Sequence, residues 1–347
     1  MRTCWIMASL ALVGASFAHP VAAQEKASGF KTLDELRASY AKQLVDLDRN
    51  RIRDLTALAA TQDATDAEAA YRELFGLAVS RDLYLEAQPA AIAYAKTGAG
   101  APQDRALAAL VMVIAMANKG EFDQSLATLT DFFHQNPLAA QPEKRLEPTT
   151  VIALGEAYLQ RLMRGGRYDI AKKAAEMVIA RRPEPDVRVH FQSRLSRLEM
   201  IGKPAPEIVG RDIDGKEIKL SDLKGKVVLV DFWATWCPPC VSAMPELKAL
   251  QTKYGKDGFV ILGINLDAHR DDVDGIAKAA PVVREFLLHA RASWPNILVG
   301  EPQKGDPADV YAVDEIPASF LISRDGSIVQ LELNGPELAK AVSDLLK

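Results

Sequence analysis

Two cysteines separated by two prolines occur in Trp236-Cys237-Pro238-Pro239-Cys240. Thiols at this spacing can close into a disulfide or work as a dithiol, because one helical turn brings the second sulfur within bonding reach of the first. Their chemistry would be thiol-disulfide exchange. The thiolate of Cys237 attacks a foreign disulfide, and Cys240 then resolves the mixed disulfide that forms. Zinc is the competing ligand for such a pair, but it needs about four donors, and no second Cys or His pair accompanies this one. A purely structural disulfide fits poorly, since so small a loop restricts the unfolded chain little. A peroxidatic cysteine would have Pro and Thr seven and three residues before it, where this chain has Val230 and Ala234. Redox exchange, needing no cofactor and no metal, is the reading left.

The flanking sequence has to position that pair. Lys226-Val227-Val228-Leu229-Val230-Asp231-Phe232-Trp233 is an apolar, β-branched run with the character of a buried central strand. After the motif, Met244, Leu247, Leu250 and Tyr254 recur at helical spacing, so the cysteines lie where a strand ends and a helix begins. Proline is tolerated in a helix's first turn, where the N–H groups have no intrahelical partner. There a thiolate meets the positive end of the peptide dipoles, which lowers its pKa and makes Cys237 the attacking sulfur. Asp231 interrupts the apolar strand. An ionisable group is costly to bury, which marks it as a functional candidate.

The chain has 347 residues and three cysteines, far too few for a disulfide-knitted scaffold. Lys and Arg total 42 against 46 Asp and Glu, so there is no basic field to attract nucleic acid. Residues 1–23 read as a secretory signal peptide, with Arg2 at the positive end, a short apolar run from Ile6 to Ala18, and Val21-Ala22-Ala23 before a cut at Gln24. An uncleaved anchor is the competing reading. The run is shorter than the ~20 residues a spanning helix needs, and nothing resembling a stop-transfer segment follows. Cleavage removes Cys4 and leaves Cys237 and Cys240 as the only thiols, working where thiols oxidise, as in a bacterial periplasm.

Composition changes near residue 200. Residues 24–200 are rich in Ala, Leu, Arg and Glu, contain no Cys or Trp, and read as an all-helical domain; residues 201–347 hold Trp233, Trp236 and Trp294 and most of the glycines. The boundary falls in Ile201-Gly202-Lys203-Pro204-Ala205-Pro206. Within the helical half, Gly120-Glu121-Phe122 and Gly166-Arg167-Tyr168 open similar stretches that end at Pro137 and Pro183, each pair 46 residues apart. Phe122, Leu126, Leu129 and Phe133, and likewise Tyr168, Ala171, Ala174 and Val178, are spaced as amphipathic helices. The preceding helix of each unit matches poorly, apart from Gly155 and Tyr158. Longer helices are expected near residues 31–58 and 65–97. His134 and His190 have no neighbouring ligands in sequence and read as structural.

These repeated stretches resemble the second helix of tetratricopeptide repeats, implying a helical-hairpin solenoid that either docks a protein partner or serves as a scaffold. Residues 201–347 resemble the thioredoxin superfamily and, within it, the secreted TlpA-like and ResA-like thiol-disulfide oxidoreductases. The resemblance rests on Gly202-Lys203-Pro204-Ala205-Pro206, Asp214-Gly215-Lys216, Leu223-Lys224-Gly225-Lys226, the signature Phe232 to Cys240, and Tyr311 to Ile322. It implies an α/β thioredoxin-like fold after the all-α domain, with a strand at 259–266 and a helix near 272–291 in an added element. It also implies a cis bond at Ile316-Pro317 facing the cysteines, which leaves the Ile316 backbone free to pair with an extended substrate strand. Trp236, Ile316 and Pro317 are the substrate-binding residues it suggests.

Two departures stand out. Many TlpA-like proteins carry Glu three residues after the second cysteine, where this chain has Ala243; Asp231 matches the buried aspartate of thioredoxin and is expected to take the proton of Cys240 instead. Gly263 aligns with a thioredoxin lysine, so Asp231 should lack a cation and its pKa should rise on burial. The function so implied is reduction of disulfides in envelope proteins of the periplasm, with recharging by a membrane-linked electron donor. A thiol oxidase, a disulfide isomerase and a helical-repeat adaptor with a secondary redox domain are the alternatives.

Overall fold

Among the described residues, twelve α-helices and seven β-strands are arranged with the helices α1 to α8 first and a mixed sheet after them. The computed structural model describes residues 29–61, 63–136, 145–269, 275–300 and 305–347. The expected signal segment 1–23, with Cys4, and the repeat-ending Pro137 lie outside the described residues. The chain falls into two compact units, Met1–Asp48 and Arg49–Lys347. In the first, the described residues carry exposed Leu33, Tyr40, Leu44 and Leu47.

The helices are α1 (Leu33–Thr61), α2 (Ala64–Arg81), α3 (Tyr84–Thr97), α4 (Pro102–Asn118), α5 (Phe122–Gln135), α6 (Pro148–Arg164), α7 (Tyr168–Arg181) and α8 (Pro185–Leu198). The single helix expected over 65–97 is two. Asp82 adopts a left-handed conformation (φ 57°) and its N–H caps the Ala78 carbonyl, which ends α2. Asp is among the few non-glycine residues that visit this region readily. The 46-residue offset holds for both helices of each hairpin: α4 and α5 begin and end 46 residues before α6 and α7. Gly120 and Gly166 turn each hairpin at φ 81° and 68°, a backbone that side chains disfavour. The first helices escaped the sequence pattern because α4 is buried on nearly every side, leaving no amphipathic period to read.

In the second half, β1 (Val209–Arg211) and β2 (Glu217–Lys219) form a small hairpin. A five-stranded sheet runs in the order β5 (Asn296–Leu298), β4 (Phe259–Asn265), β3 (Val227–Trp233), β6 (Ala318–Ile322), β7 (Ile328–Leu331). β3 is central, parallel to β4 and antiparallel to β6, and buried along its whole length. Val228, Val230 and Phe232 join a core continuous with that of α2 to α8. Leu229 and Trp233, on the other face, pack with both cysteines and with Met244 and Leu247 of α9 (Pro238–Tyr254). Alternation along the strand puts Asp231 on this second face. The added element comprises β4, α10 (Ile276–Ala290) and β5, while α11 (Pro307–Val310) and α12 (Gly335–Leu346) complete the fold. Residues 270–274 lie outside the described set, so the start expected for α10 near 272 is not described.

Residues 201–206 are not a free linker. Gly202 N–H donates to the Ile328 carbonyl at 2.8 Å, Ile328 N–H to Lys203 at 2.9 Å, and Ala205 N–H to Gly326 at 2.9 Å. Farther along, Leu331 N–H donates to the Tyr168 hydroxyl of α7 at 3.1 Å.

Candidate redox-active site

β3 delivers the chain to the site, and a buried carboxylate turns it. After Trp233, the Thr235 N–H and hydroxyl both donate to Asp267, at 2.8 and 2.5 Å, and Asn265 Nδ2 donates to the same carboxylate at 2.9 Å. Cys237 N–H then donates to the Ala234 carbonyl at 3.3 Å, closing the turn that starts α9. Cys237 is the N-cap residue, and Pro238 and Pro239 occupy the first turn.

Cys237 and Cys240 are joined as a disulfide (S–S 2.07 Å, Cα–Cα 5.3 Å). Both are buried, at 4% and 3% exposure. The Cys240 N–H donates to Cys237 Sγ at 3.3 Å, so a free donor of the first helical turn points at the sulfur expected to attack. Trp236 beside it is 40% exposed. The Ile316-Pro317 bond is cis. Ile316 packs against the apolar cluster that contains both cysteines. Pro317 and Pro239 line a cavity of about 430 Å³ together with Asp231. The structure thus brings Cys237, Cys240, Asp231, Ile316 and Pro317 into one neighbourhood.

Asp231 is 8% exposed, and burial alone pushes its carboxyl from 3.8 up to about 7. Gly263 sits directly across β4 from it. The reason no side chain stands there is steric: a Cβ on Gly263 would lie 2.0 Å from Asn296 Oδ1. That amide accepts from Trp233 Nε1 at 2.9 Å, so β5 fills the space beside Gly263.

Three features escaped the sequence reading. Asp267 follows the strand β4 as Asn265-Leu266-Asp267, and polar residues closing an apolar strand were the available signal. The cavity wall formed by Gln160, Met163 and Arg164 of α6 has no local signal at all. The third is a clamp from α8 on the segment before Pro317. Ser193 Oγ donates to the Ala312 carbonyl at 2.9 Å or to Asp314 Oδ1 at 2.8 Å. Arg194 and Arg197 both pair with Glu332, and His190 lies between Glu156 at 3.2 Å and Glu315 at 3.6 Å. His190 is therefore a partnered residue of the contact between the helical and redox halves.

Residues 201–331 match the AhpC/TSA family. The chain is 36% identical over 157 residues to the thiol-disulfide oxidoreductase ResA of Bacillus cereus, covering 45% of this chain and 82% of that protein. It is 34% identical over 130 residues to ResA of Bacillus subtilis, covering 38% and 65%. Among solved structures it is similar to the thioredoxin domain of a thiol-disulfide oxidoreductase from Bacteroides vulgatus, at 28% identity and a TM-score of 0.37 over 42% of this chain and 98% of that one. With 36% identity to the Bacillus cereus protein over 82% of its length, the chain belongs to the ResA family of thiol-disulfide oxidoreductases.

Proposed function

We propose that the protein reduces disulfides of envelope proteins in the periplasm, which it reaches through a cleaved segment at residues 1–23. The observation that carries this reading is Asp231, a carboxyl buried with no cation beside it among the described residues, on the face of β3 that packs against Cys240. In the reduced enzyme the Cys237 thiolate attacks a target disulfide, forming a new S–S bond and expelling one target thiolate. Cys240 gives its proton to Asp231 and its sulfur attacks Cys237, so the second target sulfur leaves as a thiolate. The target has gained two electrons and the enzyme is left with the Cys237–Cys240 disulfide. A dithiol donor linked to the membrane returns the pair to the reduced state. Trp236, Ile316 and Pro317 form the surface on which the target strand lies. The helical half, with its tetratricopeptide-like spacing, serves as a docking arm for a protein partner.

The test is trapping with the full chain. In Cys240→Ala the mixed disulfide on Cys237 should persist, and mass spectrometry of the adduct names the target. Absence of any adduct, together with a Cys237 inert to alkylation, would defeat the proposal.

A further inference from the structure

A cavity that Pro239 of the cysteine motif helps to line is walled by groups from both halves of the protein. Asp231, Ala243 and Glu246 line it from the redox half, and Met163 and Arg164 of α6 line it from the helical half. Asp231 is the buried ionisable group of this set, and its raised pKa has burial as its only cause, with no hydrogen bond contributing. A carboxyl that must take a proton from one side and release it on the other needs a donor or acceptor within ~3 Å, or a water between. A volume of about 430 Å³ is many times the ~30 Å³ that one liquid water occupies, and its lining carries polar groups to hold a chain of waters.

Glu246 is half-buried and follows Ala243 by three residues, so the two share one face of α9. Ala243, whose side chain is only a methyl group, lines the same cavity as the two carboxyls. The other charged groups at the cavity are Arg164, exposed on α6, and Glu332, held by Arg194 and Arg197. Glu246 has no ion pair among the described residues.

Resting on the reductase reading above, we propose that this cavity is the proton compartment of the redox centre, in which Glu246 passes protons between bulk water and Asp231. In the resolving step the Cys240 proton moves to Asp231, the Cys240 electron pair forms the bond to Cys237, and the target thiolate departs. The proton then leaves Asp231 through cavity water to the Glu246 carboxylate and out to solvent. Met163 and Arg164 make the helical half part of this compartment.

The experiment uses the full-length protein and follows two signals against pH. One is the rate at which a mixed disulfide between Cys237 and a model peptide resolves; the other is the titration of the Asp231 carboxyl, read by carbon NMR. Glu246→Gln should slow resolution about tenfold, with Glu246→Asp recovering part of the loss. Ala243→Leu, which fills the cavity, should slow resolution and move the Asp231 titration to higher pH. If Glu246→Gln and Ala243→Leu both resolve at the parent rate with the parent titration, the compartment is not used and the proposal falls, while the reductase reading stands. Unchanged resolution in Asp231→Asn would instead remove the reading on which it rests.

Discussion

Arg197 of α8 and Glu332, just beyond β7, are ion-paired at 3.0 Å, with the guanidinium almost wholly buried. Burial lowers the Arg197 pKa below its ordinary value against the pull of Glu332. Arg194 shares the same carboxylate, and Glu332 itself is held at φ 54°. Two cations of the helical half thus converge on one anion of the redox half.

Removing that anion leaves two desolvated guanidinia short of a partner. Glu332→Ala should lose ~3–5 kcal/mol, the usual consequence of breaking a buried pair from one side. Urea unfolding followed by tryptophan fluorescence, from the redox half, and by far-ultraviolet circular dichroism, dominated by the helices, should shift to lower urea and cease to coincide. Superimposable, unshifted curves would count against an energetic role for the clamp.

Asp231 gives stability a pH dependence of definite sign. Below 3.8 the carboxyl is neutral in both folded and unfolded chains and contributes no difference. As pH rises, the unfolded chain ionises first, so stability falls until the folded carboxyl also ionises near 7. The move from 3.8 to about 7 corresponds to roughly 4 kcal/mol lost at pH 8. Asp231→Asn lacks this slope, so its stability relative to the parent should grow between pH 4 and 8. Denaturant titrations at pH 4, 5.5 and 8 measure it, and a constant difference sinks the assignment.

Gly263→Lys tests whether a thioredoxin-like cation can be restored. The new side chain meets Asn296 Oδ1 before it can approach Asp231. The expected outcome is a loss of ~1–3 kcal/mol from overpacking, together with altered Trp233 fluorescence. A stable variant with the Asp231 titration moved to lower pH would show that β5 yields.

Asp267 should behave as a positioning residue. Asp267→Ala strands the Thr235 N–H, the Thr235 hydroxyl and Asn265, each left unsatisfied at ~1–3 kcal/mol. Asp267→Asn keeps an oxygen for the Thr235 N–H. Disulfide reduction assays should show a large fall in kcat for Ala, a smaller one for Asn, and little change in KM for either.

What could be read from the sequence was local. The strand from Val227 to Trp233, the proline-started helix α9 and the paired turns at Gly120 and Gly166 each follow from residue types within a few positions. The Asp231 environment was legible in part: its burial followed from the apolar run of β3, and its lack of a cation from the thioredoxin resemblance, which sets Gly263 where that family has a lysine. The break at Asp82 was not, because αL conformation in a non-glycine residue leaves no reliable mark on composition. Nor were the α8 clamp and the α6 cavity wall. Arg194 and Glu332 are 138 residues apart, and only the packing of the two halves brings them together.

The outermost strands also bear on pairing with other chains. β7 is a sheet edge, and such an edge is an open template for pairing with another chain. Here Gly202 and Lys203 pair with Ile328 at the start of β7 and the Tyr168 hydroxyl takes the Leu331 N–H at its end, while Asp212 bridges to Ile297 on the opposite edge. The segment joining the halves is therefore a guard against edge-to-edge aggregation. Cutting the chain after Lys203 would uncover the rim of the sheet and create a self-adhesive surface that the intact protein keeps sealed.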